Sequence, residues 1–475
     1  MSSMIKERLS GIDRAWLLMD RPSNPMTIVA LIVLGKPLGV AALRELIGRR
    51  FLALPRFRCV PQSDTLGASW VEASGLCLED HVLATALPAP GGQRELEALA
   101  GELAGTPFPA GRPLWSFHVV ARYRQGSALI ARIHHCYADG IALVQVLLSL
   151  ADGRPEAARP AESSPGSGPG EHGAPGVLDF LPRLAISALR QGASAIESAL
   201  PYGLHPGSVP ALAQQALGIG GELLKLAALP DDPPTRLKRA LSGRRRLAWA
   251  QSLSLEEVRT IGKVLGCTVN DVLISTLAGA LGRYLETHGD SIEGLTLRAT
   301  VPVNLREPAG GERGAAPIEL GNRFGLVFVE LPVGIRHPLE RLYAVHAAMA
   351  TLKGSPQALA TLGLLALVGT LPPAVEEFAL GLFSAKASLV ASNLPGPAQT
   401  LRLAGRPVVE LLFWVPQSGS IGTGVSMLTY RGRVQFGVIS DRDLIGDPEC
   451  LVAWLAREFE RLVLLVLLGG GALGT

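Results

Sequence analysis

The chain has 475 residues, 48% of them hydrophobic and 18% charged, which is enough apolar material for two ordinary domains and too much for a disordered chain. A net charge of +3 and an aromatic content of 5% supply neither the basic field nor the stacking platform of a nucleic-acid-binding protein, so nucleic acid is not expected as a partner. Five cysteines (Cys59, Cys77, Cys136, Cys267 and Cys450) are scattered and never form a CxxC pair; neither a disulfide framework nor a metal site is predicted, and a reducing cytosol is the expected setting.

The opening MSSMIKERLSGIDRAWLLMD is interrupted by Lys6, Arg8, Asp13 and Arg14, unlike a signal peptide, so export by that route is not expected. TIVALIVLG (27–35) reads as a strand, LGVAALRELIGRRFLAL and LEALAGELAG as helices, and WSFHVVARY and ALIARIHH as strands. RPEAARPAESSPGSGPGEHGAPG (154–176) is too rich in Pro, Gly and Ser to bury much apolar surface and predicts an exposed connection, followed by an Ala/Leu-rich helical stretch over 177–229. A second alternating segment holds SLEEVRTIGKVLG and TVNDVLISTLAGALGRYLETHG as helices. LRATVPVNL, the stretch 324–331, ASLVASNL, LTYRG and RVQFGVIS follow as strands, before a last helix. ALATLGLLALVGTL (358–371) is short of the roughly 20 residues that cross a bilayer and predicts a buried or interfacial helix. A mean hydropathy of +0.30 and the apolar tail Leu462 to Leu468 suit either a protein that meets lipid from one side or a core-docked final helix. The division is an N-terminal α/β half (1–153), a linker with connecting helices (154–245) and a C-terminal α/β half (246–475).

The chemistry is concentrated in HHCYADG (134–140). In a strand successive side chains point to opposite faces, so His134 and His135 cannot chelate one metal. His135 shares a side with Ile133 and Ala131, His134 with Arg132. IALVQVLLSL reads as a helix, which makes CYADG the strand-to-helix loop, with Asp139 at the helix start and Gly140 relieving the turn. A polar strand edge and a capping aspartate explain the same residues without catalysis. Asn270 and Asp271 begin a helix, where both types cap well, although an Asn side chain can also donate to an oxyanion. Arg244, Arg245 and Arg246 are the densest basic cluster, read as a solvated surface, a phosphate site or a contact for anionic lipid.

HHCYADG matches the HHxxxDG motif of the superfamily that includes chloramphenicol acetyltransferase, the carnitine acyltransferases and peptide-synthetase condensation domains. The chain resembles the bacterial wax ester synthase/acyl-CoA:diacylglycerol acyltransferase family through LSGIDRAWLLMDRPSNPMTI (9–28), PLW (113–115), TVNDVLISTLAGALGRYL (268–285), VPVNLR (301–306), GNRFG (321–325), SNLPGP (392–397) and YRGRVQFGVISDRD (430–443), in the family's order. It departs at FPAGRPLW, where Phe108 and Pro109 replace a usual Leu-Asp, at Gly11, where proline is common, and at Thr27, where histidine is common.

The resemblance implies an α/β fold of two chloramphenicol-acetyltransferase-like domains with a substrate channel between them. It implies a long-chain fatty acyl group moved from acyl-CoA, a substrate and not a cofactor, to a long-chain alcohol or diacylglycerol. His135 would be the general base, without a covalent acyl-enzyme, and Cys136 beside it is not read as a nucleophile. Asp139 would brace the loop through an arginine, with Arg306 and Arg132 both left as partners, and His134 would orient the site or merely pack. Asn270 would line the site and Asp271 support its helix, while Arg244, Arg245 and Arg246 are candidates for the CoA phosphates. A cytoplasmic protein peripheral on membrane or lipid bodies is expected. A relative acting on a polyketide or glycolipid hydroxyl, or a non-catalytic lipid-binding protein, stays open; the sequence does not settle oligomeric state.

Overall fold

The computed structural model describes residues 6–64, 67–153, 225–306, 320–353, 355–369 and 373–469. The expected connection 154–176 and most of the helical stretch behind it lie outside the described residues.

The predicted strands of the N-terminal half form one sheet because each is apolar on both faces, as a strand covered from two sides must be. Thr27–Leu34 pairs antiparallel with Gly126–His134, which pairs antiparallel with Trp115–Tyr123, and the short Val82–Thr85 closes that edge in parallel. On one face lie the helices Gly11–Leu18, Val40–Leu46 and Gly140–Leu150 with a core that includes Trp16, Phe51, Phe57 and Trp115; on the other lies Gln93–Gly105, over Val29, Leu31 and Ile130. A three-stranded sheet of Lys6–Arg8, Cys59–Asp64 and Gly67–Glu72, absent from the sequence reading, flanks this half.

The second sheet runs in the order Phe324–Leu331, Leu297–Asn304, Leu389–Pro395, Thr423–Tyr430, Arg433–Asp441, Arg245–Trp249. The helices Leu255–Leu265, Val269–Thr287, Pro338–Leu352 and Pro448–Gly469 cover one face and enclose a second core. Within it Glu458, fully buried, accepts from Arg341 Nη2 at 2.5 Å and from Arg461 Nη1 at 2.7 Å, and Arg283 Nε stands 3.6 Å away, so three guanidinium groups compensate the buried carboxylate. The stretch 358–371 supplies the helix Gln357–Val368, half of it buried; no single helix among the described residues is long and apolar enough to cross a membrane.

Chain order misplaces one element. Arg406–Trp414 belongs by position to 246–475, yet it pairs antiparallel with Thr27–Leu34 and carries the two-residue strand Arg402–Leu403 to the edge of the first sheet. The halves therefore share a sheet, and the boundary at 246 does not separate two independent units. In Arg406–Trp414 only the second half, Leu411–Trp414, is buried on both faces, as a strand inside a sheet is, and nothing local says which sheet takes it.

The departure at Gly11 has a packing reason. A Cβ there would stand 2.5 Å from the Ala366 carbonyl oxygen, and one at Gly369 would stand 1.8 Å from the Gly11 carbonyl oxygen. The helices Gly11–Leu18 and Gln357–Val368 thus approach through bare backbone, which brings the N-terminal helix onto the second half.

Candidate active site

The strand Gly126–His134 stops one residue short of His135, and the turn that follows delivers Asp139 as N-cap of the helix Gly140–Leu150. Asp139 Oδ1 accepts the Ala142 N–H at 2.9 Å, the ordinary capping bond. Its Oδ2 reaches across the seam between the halves to Arg306 Nη1 at 2.5 Å and the Arg323 N–H at 3.0 Å. Arg306 Nη2 also donates to the Gly321 carbonyl at 2.9 Å, and Gly321 N–H to Tyr137 O at 3.1 Å. One buried carboxylate therefore ties the histidine loop to VPVNLR and GNRFG. Arg132, the other partner considered for Asp139, instead donates to the Thr106 carbonyl and lies over the Phe108 ring at 4.6 Å.

His135 is 4% exposed. Its backbone N–H donates to Met26 O at 2.8 Å and its carbonyl accepts from Asn322 Nδ2 at 2.9 Å, while that nitrogen also serves Asp13 Oδ1 at 2.8 Å. The imidazole stacks on Trp16 at 4.0 Å with planes 17° apart, and Phe324 packs against both rings, 5.7 Å from the imidazole and 5.9 Å from the indole. Nδ1 is sealed without a hydrogen-bond partner. Burial pushes the imidazole down to about 4, against the upward pull of the Asp139 charge, its own backbone carbonyl and Asn322, so the ring is neutral at physiological pH.

His134 is equally buried but lives in different surroundings. Its Nδ1 accepts the Cys136 N–H at 3.1 Å, its Nε2 stands 3.7 Å from Asp20 Oδ1, and Phe108 meets it edge-on at 6.5 Å. The two histidines thus serve opposite sides of the chain, as strand alternation requires. Cys136 is fully buried and burial raises its thiol well above the usual range, which keeps it protonated.

Asp13, Asn322 and Trp16 complete the surroundings of His135 and were not singled out from the sequence. Asp13 is 2% exposed and burial raises its carboxyl, opposed by Asn322 and Arg56. The blocks LSGIDRAW and GNRFG carried the signal, but no local pattern distinguishes a buried Asp from a solvated one.

The other candidates go elsewhere. Asn270 accepts from Asn393 Nδ2 at 2.6 Å and lines a small pocket with Ala391, Met349 and Met427. Leu394, next to Asn393 along the strand, points instead at Gly140, so Asn270 stands behind the strand that faces the histidine loop and makes no hydrogen bond to His135. Asp271 completes a capping box with Thr268 and accepts from His346 Nδ1 at 2.8 Å; burial opposes its ionisation, but those bonds hold its carboxyl below the usual range. Cys267, Asp271 and His346 are the one group among the described residues whose donor atoms, within 4.8 Å of one another, could hold a metal ion. The basic triplet is split: Arg245 is buried and bonded to Asn24 Oδ1, whereas Arg244 and Arg246 are exposed. Alternation in the strand Arg245–Trp249 turns the middle arginine inward.

On the His135 side of the sheet a narrow apolar cavity of ≈60 Å³ is lined by Ile133, Gly140, Leu143, Leu147, Leu394 and Phe413, from both halves. A Cβ at Gly140 would stand 2.9 Å from Leu394 Cδ1, so glycine keeps the loop against that wall.

The burial of His135 has a measurable consequence. His118, also buried, is likewise pushed down to about 4 by burial. Between about 4 and the ordinary 6.5 the unfolded chain binds more protons than the folded one, so stability is full above 6.5 and falls as pH drops through that window. Denaturant midpoints measured at pH 7, 6 and 5 are expected to decline, and to decline less steeply in His118→Asn; a flat profile would refute the buried neutral imidazoles.

Two interlocked α/β halves with HHxxxDG at their seam form the architecture of condensation-domain-like acyltransferases. The wax ester synthase/diacylglycerol acyltransferase from Marinobacter aquaeolei VT8 has this fold, at TM-score 0.67 and 22% identity over 96% of this chain and 99% of that one. So does the first condensation domain of the calcium-dependent antibiotic synthetase, at TM-score 0.60 and 16% identity over 98% and 97%.

The chain belongs to the wax ester synthase/diacylglycerol acyltransferase family: the model of the family's catalytic domain matches residues 9–273 and that of its C-terminal domain residues 320–463. A Mycobacterium bovis relative bearing the name diacylglycerol O-acyltransferase is 30% identical over 471 residues, 96% of this chain and 98% of that protein. One from Mycobacterium tuberculosis with the same designation is 28% identical over 93% and 87%. The protein is an acyltransferase.

Proposed function

We propose that the enzyme moves a long-chain fatty acyl group from acyl-CoA to the hydroxyl of a long-chain alcohol or a diacylglycerol, with His135 as general base. The observation that carries this is a buried imidazole whose Nδ1 is sealed, stacked on Trp16 with Phe324 packed against both rings, on the side of the sheet that holds the apolar cavity. The acceptor hydroxyl attacks the thioester carbonyl as Nε2 takes its proton, and the tetrahedral adduct collapses by breaking the carbon–sulfur bond. The same proton then goes to the departing CoA thiolate. No acyl group rests on the protein. Asp139, Arg306, Asn322 and Asp13 position the imidazole, and His134 braces the opposite side of the loop through Asp20 and Cys136.

The cavity walls by Gly140 suit the start of an acyl chain; a long chain needs side chains such as Leu147 and Leu394 to move aside. We place the enzyme at the cytoplasmic side of a lipid surface, where its substrates partition, a reading supported by exposed Leu464, Leu467 and Leu468 on the final helix and by Phe378.

Purified enzyme given palmitoyl-CoA is expected to release CoA thiol only when hexadecanol or diacylglycerol is added, with no acyl adduct on the intact protein by mass spectrometry. Adduct accumulation on Cys136 would sink the direct-transfer mechanism. Equal release without acceptor would sink the assignment of acceptors.

A further inference from the structure

We infer that the arginine-lined cleft between the helix Gln93–Gly105 and the strand Arg245–Trp249 holds the phosphates of the acyl donor's coenzyme A. The cleft measures ≈760 Å³, room for a nucleotide, and lies on the face of the first sheet opposite the apolar cavity.

Among the described residues Arg94, Arg244 and Arg442 line it without an ion-pair partner, and Arg246 meets Glu449 at 3.9 Å; Glu102 and Glu97, the latter accepting from Gln93 and the Trp249 N–H, share the wall, so five arginines face three carboxylates. Arg245 forms the floor: it is 7% exposed, its Nη2 is bonded to Ser23 O and Asn24 Oδ1, and its Nη1 is buried without a partner. A buried guanidinium with an unused donor, beneath three unpaired ones, is the arrangement that an oligoanion satisfies.

The arginines are fixed from below. Asp441, fully buried, accepts from Ser242 Oγ at 2.7 Å and Gly243 N at 2.8 Å, and the Arg442 N–H donates to Arg244 O at 2.9 Å, so ISDRD and SGRRR present their cations together. Side-chain contacts join the end of the cleft to His134. Thr106 at its end accepts from Arg132, Arg132 covers Phe108, and Phe108 meets His134.

This assignment rests on the acyl-CoA reading above, and the test separates the two. In steady-state assays Arg442→Ala is expected to raise KM for palmitoyl-CoA ~10-fold with kcat little changed, and Arg244→Ala/Arg442→Ala to raise it ~100-fold. The deficit should vanish with palmitoyl-pantetheine, which has no phosphate at the far end. Adenosine 3′,5′-bisphosphate should compete with palmitoyl-CoA on the wild type and bind the double variant at least 10-fold more weakly. Variants with wild-type KM for palmitoyl-CoA, or with the same deficit on palmitoyl-pantetheine, overturn the assignment. So does calorimetric binding of inorganic phosphate that depends on these arginines yet does not compete with palmitoyl-CoA. A wild type that turns over neither donor defeats the acyltransfer reading instead, and bisphosphate calorimetry still reads the cleft.

Discussion

His135→Ala is expected to lower ester formation by ~10²- to 10⁴-fold, the range that a general base contributes, while the protein remains folded. The loss should fall on kcat, because the imidazole meets the hydroxyl proton in the transition state and not in the bound ground state. The fold should survive since His135 makes its hydrogen bonds through its backbone, to Met26 and Asn322, and those persist in alanine. What disappears is the ring stacked on Trp16, which leaves a small void worth a few kcal/mol at most. His135→Gln keeps much of that volume without a base and should be as inactive as alanine. A folded His135→Gln enzyme with wild-type turnover would show that the proton leaves by another route.

Arg306→Ala is expected to cost about 3–5 kcal/mol of stability, as removal of one partner from a buried ion pair does. Asp139 is 3% exposed, and without Arg306 its Oδ2 keeps only the Arg323 N–H. The loop would also lose the arginine that ties it to Gly321, so activity should fall through misplacement of the imidazole. The double variant Asp139→Ala/Arg306→Ala should be more stable than Arg306→Ala, because it removes the stranded charge. If denaturant unfolding finds the double variant the weaker of the two, the bonds Asp139 keeps to the Ala142 and Arg323 N–H groups outweigh the cost of its stranded charge.

How much of this could be read from the chain alone follows from which interactions are local. The histidine strand, its turn and the cap at Asp139 are set by neighbours within a few residues, and periodicity showed them. Asn322 and Asp13 are bonded across 309 positions, and a lone Asp in an amphipathic helix looks solvated whether or not a distant amide reaches it. Arg245 was legible in principle: SGRRRLAWA read as a strand turns one arginine of three inward, but the triplet was read as a uniform basic cluster. Asn270 begins its helix as expected, but the bond its side-chain oxygen accepts from Asn393 spans 123 positions, and no local pattern announces that partner. Arg406–Trp414 is missing from the strands predicted, and its partner is beyond local patterns in any case, because register between strands far apart in sequence is decided by the whole assembly.

That strand also sets an order of events during synthesis. Thr27–Leu34 emerges from the ribosome early, yet the neighbour that completes its outer edge is made only after about 370 further residues. Until then its free N–H and C=O groups form an open apolar margin, the kind that recruits other chains. Final closure of the first sheet therefore waits for the last part of the polypeptide. Truncation before Arg406 should yield aggregates rather than a working amino-terminal fragment, and nascent chains of this enzyme should depend on chaperones until the margin is sealed.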